Sequence, residues 1–203
     1  MGGARSDLFE VWILYPDKLK SHIVDRLGSM TAKSVLQNFF GGTGGEKIQP
    51  ILNNLTSLFD PAGSRLFVKS AKIPKFGVGT TELPYKGRKF QYPTTREDDN
   101  TLQLGVYNDV HFLHHAILSM WLEFIRTSQT NIGLYPQDFF GSIKVFQHDS
   151  LGNVLKIINF VNVFPKEVGE IGLDWGDEKI EEFNATFGYH LQLTDTSDEI
   201  KVF

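Results

Sequence analysis

A chain of 203 residues is long enough for one domain with a substantial core, because burial rises with size and single cores serve up to roughly 250 residues. Hydrophobic residues at 41% and charged residues at 22% are ordinary globular values, while seventeen Phe and nineteen Gly lean towards strands, turns and large contact surfaces. A net charge of −4 argues against gripping nucleic acid by phosphate neutralisation, and zero Cys excludes disulfides and thiolate metal sites.

Residues 7–15, DLFEVWILY, read as a strand apolar on both faces, with Leu8, Trp12 and Leu14 against Phe9, Val11, Ile13 and Tyr15. Such a strand is buried between layers or covered by a partner chain. The start, MGGARSDLFE, lacks the apolar centre of a secretory signal and no apolar run reaches the length of a membrane span. Synthesis in the cytoplasm with no membrane partner is the expectation. From Lys18 to Phe59 the period becomes helical: Ile23, Leu27 and Met30 make one stripe, and Ile48, Ile51, Leu52, Leu55, Leu58 and Phe59 a second. The run Gly41-Gly42-Thr43-Gly44-Gly45 separates them as a hinge. The pattern predicts a helical insertion, 17–64, between the first two strands of a β protein.

Leu66, Val68, Ser70 and Lys72 alternate with Phe67, Lys69 and Ala71 in a strand that stops at Pro74. The stretch Lys86 to Tyr92 then puts Lys86, Arg88, Phe90 and Tyr92 on one side. Basic residues interleaved with aromatics suit single-stranded nucleic acid, but the acidic run from Arg96 to Asn100 just beyond favours a strand facing solvent or a neighbour. Leu102, Leu104 and Val106 face a core. Asn108 or Asp109 caps a helix over Val110 to Thr127, whose buried stripe is Leu113, Ala116, Ile117, Met120 and Phe124. Strands 139–147 and 154–163 flank a turn, 148–153, with Gly152 and Asn153 where positive φ is needed.

In the last long stretch, Pro165 argues against a central strand at that point, and Trp175-Gly176-Asp177 makes a turn. Beyond it Phe183, Ala185, Phe187, Tyr189, Leu191 and Leu193 point one way, while Glu182, Asn184, Thr186, Gly188, His190 and Gln192 point the other, the signature of one long half-wet strand. The predicted organisation is a single domain, 1–203, with a β core and one packing helix over 65–193 and a polar tail, 194–203. Its class is mainly β (α+β), a barrel or sandwich.

Reactive groups do not converge in this pattern. His111 and His115 are four residues apart on one helix face, a spacing that chelates metals, yet the Glu of the zinc-protease motif and a third ligand are missing. A solvated or interface pair is the better reading. Asp98-Asp99, Asp177-Glu178 and Glu181-Glu182 sit in or beside turns, where carboxylates need no catalytic purpose. GGTGG lacks the Lys and Ser/Thr of a phosphate cradle. The expectation is therefore no enzyme, with no catalytic, cofactor or metal residues. Alternating strands in a chain of this size suit a closed barrel or a sandwich whose edges pair with other copies; an enclosed barrel holding a small apolar ligand is the alternative.

One ordered run carries more than periodicity: Pro165, Val168, Gly169, Glu170, Leu173, Asp174 and Trp175, an acidic turn, then Ile180, Phe183, Thr186 and Phe187. It resembles the C-terminal signature of the tail-tube family of contractile-tailed bacteriophages, and the likeness extends over 7–15 and 65–193. The resemblance implies a structural virion protein whose hexameric ring surrounds a channel through which DNA passes without specific binding. The insertion 17–64, and Gly133-Leu134-Tyr135-Pro136-Gln137-Asp138 in the place of a Leu-x-x-Pro-Gln-Asp stretch, resemble the baseplate members that initiate the tube. The major tube subunit is the second reading. Implied partners are further copies of the chain, tail tube subunits, baseplate hub proteins and the tail sheath. Polarity alone puts Asn184, Thr186, His190 and Gln192 nearer the channel, with Phe183, Phe187 and Tyr189 in the core.

Overall fold

A computed structural model describes residues 7–29, 64–108, 113–126, 133–171 and 180–196. Strands dominate: β1 (Phe9–Leu14), β2 (Ser64–Leu66), β3 (Val68–Lys72), β4 (Phe76–Tyr85), β5 (Arg88–Asp98), β6 (Thr101–Tyr107), β7 (Gly141–His148), β8 (Val154–Val168), β9 (Glu182–Gly188) and β10 (Leu191–Thr196). Helices α1 (Asp17–Ser29), α2 (Leu113–Ile125) and α3 (Pro136–Phe139) accompany them. The mainly β class expected from the sequence is what the chain adopts.

All pairings are antiparallel, in the order β2-β1-β7-β8-β9-β6-β3, with β10 also on β8. Two strands pass from one half of this array to the other. β8 pairs β7 and β10 along its first half and β9 along its second. The run 64–72 pairs β1 through β2, breaks at Phe67, and pairs β6 through β3. The array is therefore two sheets joined at both corners, one of β2, β1, β7, β8 and β10 and the other of β8, β9, β6 and β3. Strands that switch sheets make such corners through bends and bulges. At the β8 corner Asn162 takes φ 55°, and the His190 amide donates to the Val161 carbonyl at 3.1 Å.

Side chains from both sheets meet in one core. Val11, Ile13, Ile143, Val145, Ile158 and Phe160 come from the first sheet, and Leu102, Leu104, Val106, Phe183, Ala185 and Phe187 from the second. α2 packs its Leu113, Ile117, Leu118 and Trp121 into the same cluster, and α1 adds Leu19 and Ile23. The indole of Trp121 lies edge-on to Tyr15 at 5.5 Å and 6.4 Å from Phe187, while its Nε1–H donates to the Phe139 carbonyl at 2.9 Å. A Trp can be this deeply buried because its one polar atom has found an acceptor.

The predicted stripe of α2 needs adjustment: His114, Leu118 and Trp121 are buried, whereas Met120 and Phe124 are only partly so. Three further expectations are corrected. First, Lys86 is not within a strand; with Gly87 it forms the turn of a β4–β5 hairpin, at φ 48° and 76°, the positive-φ pair of a tight hairpin turn. Second, the strand expected over 154–163 does not stop there: β8 runs on through Pro165 to Val168, although Pro165 is not in a centrally paired stretch, as expected. Beyond Val163 that strand is paired on the β9 side alone among the described residues, and the ladder shifts register between Pro165 and Glu167, so the missing N–H costs no bond. Third, the long strand expected over 183–193 is two. Its alternation flips at the corner, where Tyr189 is buried, His190 and Leu191 are both exposed, and Thr194 belongs to β10 instead of a tail.

The β7–β8 turn shows how local chemistry fixes a register. The Asp149 carboxylate accepts from the Leu151 amide at 2.8 Å, the Asn153 amide at 2.9 Å and the Asn153 side chain at 3.1 Å, while Gly152 takes φ 87°. Hydrogen bonds from Asn153 hold its carboxyl below the ordinary value of 3.8. A depressed folded pKa means that this contribution is present above the unfolded value and is lost as pH falls through the folded one. A carbon-detected NMR titration is expected to place Asp149 below free aspartate, and Asp149→Ala should raise amide exchange at Leu151 and Asn153 selectively. Unchanged exchange at those two amides would show that the carboxylate is not what shapes the turn.

Candidate assembly surface

The outward face of the β8-β9-β6-β3 sheet is polar and laid out in transverse rows. Residues directly opposite in an antiparallel ladder share a face. Lys72 stands opposite Gln103, Gln103 opposite Thr186, and Thr186 opposite Glu167. A basic and an acidic side chain thus end one row, on the two outer strands, with two neutral amide and hydroxyl groups between them. The next row is Ser70, Gly105 and Asn184, continued by Gly169, whose amide donates to the Asn184 carbonyl at 2.6 Å. A Cβ at Gly169 would meet that carbonyl oxygen at 2.8 Å, so this close approach requires glycine. Among the described residues β3 pairs β6 alone and the second half of β8 pairs β9 alone. Within the described residues the sheet therefore ends in two open backbone edges.

From one end of this sheet, where Lys72 and Thr101 lie, the β4–β5 hairpin projects. Among the described residues it pairs with no other strand, and every residue from Thr80 to Glu97 is exposed. Register puts Leu83 opposite Phe90, Tyr85 opposite Arg88 and Thr81 opposite Tyr92, all on one face. Lys86 holds its ammonium 5.3 Å over the Tyr85 ring, and Lys89 pairs with Glu82 at 2.9 Å. A two-stranded hairpin alone is marginal in water, and contiguous exposed apolar surface marks an interaction site.

At the opposite end of the same sheet, beside Tyr107 and Glu182, carboxylates gather. Glu170 and Glu182 line a groove there with Val168, Phe183 and Asn184, and Glu167, of the Lys72 row, borders it. Glu182 pairs with Lys69 at 2.7 Å, and that hydrogen bond and charge raise the Lys69 pKa. Phe67 and Ile180, 62% and 72% exposed, lie at this end too, Phe67 through its carbonyl bond to the Tyr107 amide.

The sequence-predicted residues fall into distinct places. Asn184 and Thr186 lie on the polar face with Gln103. His190 stands at the corner against Phe140, 4.8 Å between ring centres, and Gln192 is opposite the fully buried Phe160. These two do not join the rows of Asn184 and Thr186, because the alternation flips between β9 and β10. Pro165 is buried at the bulge, Val168 packs on the core, and Glu170 is exposed. Phe183 lies edge-on to His115 at 5.1 Å, and Phe187 packs near Trp121. Leu173, Asp174, Trp175 and His111 lie outside the described residues, as do the second apolar stripe and the Gly hinge of the insertion. Sequence reasoning missed the Lys72–Glu167 row, which only cross-strand register reveals. It also missed β4, whose Gly77, Gly79 and Pro84 read as breakers.

Among the described residues, a polar-faced sheet with open edges and an exposed hairpin stand out, and reactive groups are not gathered into one site. The sequence over residues 46–194 matches the profile of the phage tail tube proteins, and the chain belongs to that family. It is a structural subunit of the tail-tube type. Comparison with curated sequences gives no match. The fold is similar to a chain of the anti-feeding prophage baseplate, with TM-score 0.57, 11% identity and 97% of each chain covered. It is also similar to one in the PVC sheath–tube complex of an extracellular contractile injection system, with TM-score 0.51, 15% identity, and 66% of this chain and 83% of that one covered.

Proposed function

We propose that copies of the chain close into a ring around a channel by pairing the β3 edge of one copy with the second half of β8 of the next. Strand direction alternates across the sheet, so this junction continues the antiparallel ladder. One patch meeting a different patch is the contact that generates rings, and pairing removes the exposed edges. The observation that carries the reading is the polar-faced sheet bounded by two open edges. Asn184, Thr186 and Gln103 would then line the channel with neutral groups, and Lys72 of one copy would meet Glu167 of the next at the seam. Such a wall lacks the basic groove that holds nucleic acid, as a conduit for DNA ejection requires. A ring of six copies is the number the family likeness implies.

The position supported best is the baseplate end of the tail, as the ring that initiates the tube, with hub proteins below, tube subunits above and the sheath outside. The fold likeness to the baseplate chain over nearly the whole length of both supports it. The body of the tube is the second reading, favoured by the contrasting chemistry of the two sheet ends. A ligand-holding barrel fits poorly, because Trp121, Phe160 and Phe187 occupy the interior. The test is electron microscopy and sedimentation across a concentration series, alone and with purified hub. Rings are expected. Lys72→Glu should weaken them by placing like charges across the seam, and adding Glu167→Lys should restore them. A wild-type chain that stays monomeric throughout, or Lys72→Glu rings as stable as wild type, would overturn the reading.

A further inference from the structure

The two sheets turn opposite kinds of face outward. That of β3, β6 and β9 is the polar one described above. On the other sheet Ile13, Val145 and Phe160 point into the core, so the residues that alternate with them point away from it. Register places Leu14, Val161 and Leu191 in one transverse row of that outward face, and Trp12 and Leu193 in the next. Phe146 lies edge-on to Trp12 at 6.2 Å. Leu14, Leu191 and Leu193 are 39%, 47% and 45% exposed. Between Lys144 and Leu193 in the second row, Asn159 has its Oδ1 buried with no hydrogen-bond partner among the described residues. An apolar surface this continuous calls for a cover.

We propose that this face is the docking site of residues 50–59 of the same chain, laid as a helix across it from β10 to β1. In sequence that segment sets Ile51, Leu52, Leu55, Leu58 and Phe59 on one side at helical spacing, and Pro50 suits the first turn. Such a stripe needs an apolar face, and the outward face of the other sheet is polar. The place where the segment rejoins the fold selects it over a foreign partner. Ser64 opens β2 opposite Ile13 of β1, so residues 60–63 arrive at the β1 side of this same sheet. From Phe59 to Ser64 the chain can extend up to about 17 Å, enough to climb the roughly 10 Å between packed layers. From Pro50 to Phe59 a helix runs about 15 Å. β1 and β10 are separated by β7 and β8, about 14 Å at roughly 4.8 Å per strand, so the helix is as long as the face is wide. A short tether also holds the stripe beside the face at high effective concentration, which an unlinked partner would have to match. In the ring proposed above this face points away from the channel, and Asn53, Asn54 and Ser57 would form the wall that an enclosing protein meets. The docking itself does not depend on that reading.

The lack of Cys in the chain makes disulfide trapping in the full-length protein direct. Ile51→Cys is paired in turn with Leu191→Cys and Leu193→Cys on β10, and Leu58→Cys with Leu14→Cys on β1; bridging requires Cα atoms within about 7 Å. Ile51→Cys with Thr186→Cys, on the polar outward face, is the control. At least one of the face pairs is expected to bridge within a single chain, to an extent unchanged by dilution and at least about tenfold faster than the control. Bridges that form only between chains would assign the face to a second copy, and face pairs no faster than the control would leave it to another protein; either overturns the proposal. Leu52→Asp/Leu55→Asp supplies an independent readout. Hydrogen exchange at the β10 amides should rise about tenfold or more while that at β6 and β9 holds, and unchanged β10 exchange likewise overturns the docking. Neither readout requires a ring, so a failure of the seam would leave this result standing.

Discussion

Trp121→Ala is expected to cost about 3–5 kcal/mol of folding stability, the range for removing a large buried aromatic. The indole is fully buried and touches three parts of the fold at once: Tyr15 after β1, Phe187 in β9, and the Phe139 carbonyl of α3. Alanine would leave a cavity between the two sheets and strand that carbonyl without its donor, and the two losses add. Because small domains are stable by only about 5–15 kcal/mol in all, the variant should unfold at much lower denaturant concentration. Trp121→Phe separates the contributions, since it keeps most of the packing but not the N–H. Its cost should be about 1–3 kcal/mol, the penalty for an unsatisfied buried acceptor. Equilibrium denaturation of the two variants decides: an alanine cost below that of phenylalanine would mean that the indole does not tie α2 to both sheets.

The second large effect is expected at Gly141, the first residue of β7. A Cβ there would lie 2.5 Å from the Leu14 carbonyl oxygen and 2.9 Å from Cη2 of the same tryptophan. The backbone oxygen belongs to the end of β1 and has no rotamer with which to yield, so Gly141→Ala should push the start of β7 off β1. A cost of about 3 kcal/mol follows from overpacking of this severity. Gly133→Ala is the matched control, because nothing lies within 4 Å of a Cβ at that position, and its effect should be within about 0.5 kcal/mol, as for ordinary surface changes. Combining Gly141→Ala with Trp121→Ala should cost less than the sum, since one removes an atom that the other collides with. Full additivity would locate the clash wholly at the carbonyl.

How much of this was legible in the sequence depended on which interactions wrote the pattern. Local periodicity recorded the β6 strand, the α2 helix and the β7–β8 turn, where each element's own residues decide its state. It failed at Tyr189 and His190, because the flip of faces is imposed by a corner that Asn162 makes on a different strand. At Pro165 it was right that the strand is not centrally paired, but it missed that β8 runs on to Val168 along β9 alone. The candidate assembly surface was half legible. Asn184 and Thr186 announce a wet face by alternation, but Lys72 and Glu167 are 95 positions apart in the chain (167 − 72) and become a row only through three pairings. The hairpin was hidden for a related reason. Its first strand contains Gly77, Gly79 and Pro84, unfavourable in a central strand and tolerated where, among the described residues, neither side of the hairpin has another neighbour.

The run of β8 through both sheets has a mechanical meaning. A single covalent strand spans from one sheet, where it is clamped between β7 and β10, to the other, where it lies on β9. Backbone bonds along such a strand are stiff, whereas the side-chain packing between layers can slide. A push on the first sheet is therefore carried into the second along the chain itself, and strand 64–72 does the same at the other corner. The two sheets deform as one body, and in the ring proposed above the bore would hold its width only as long as the β1-β7-β10 side keeps its shape.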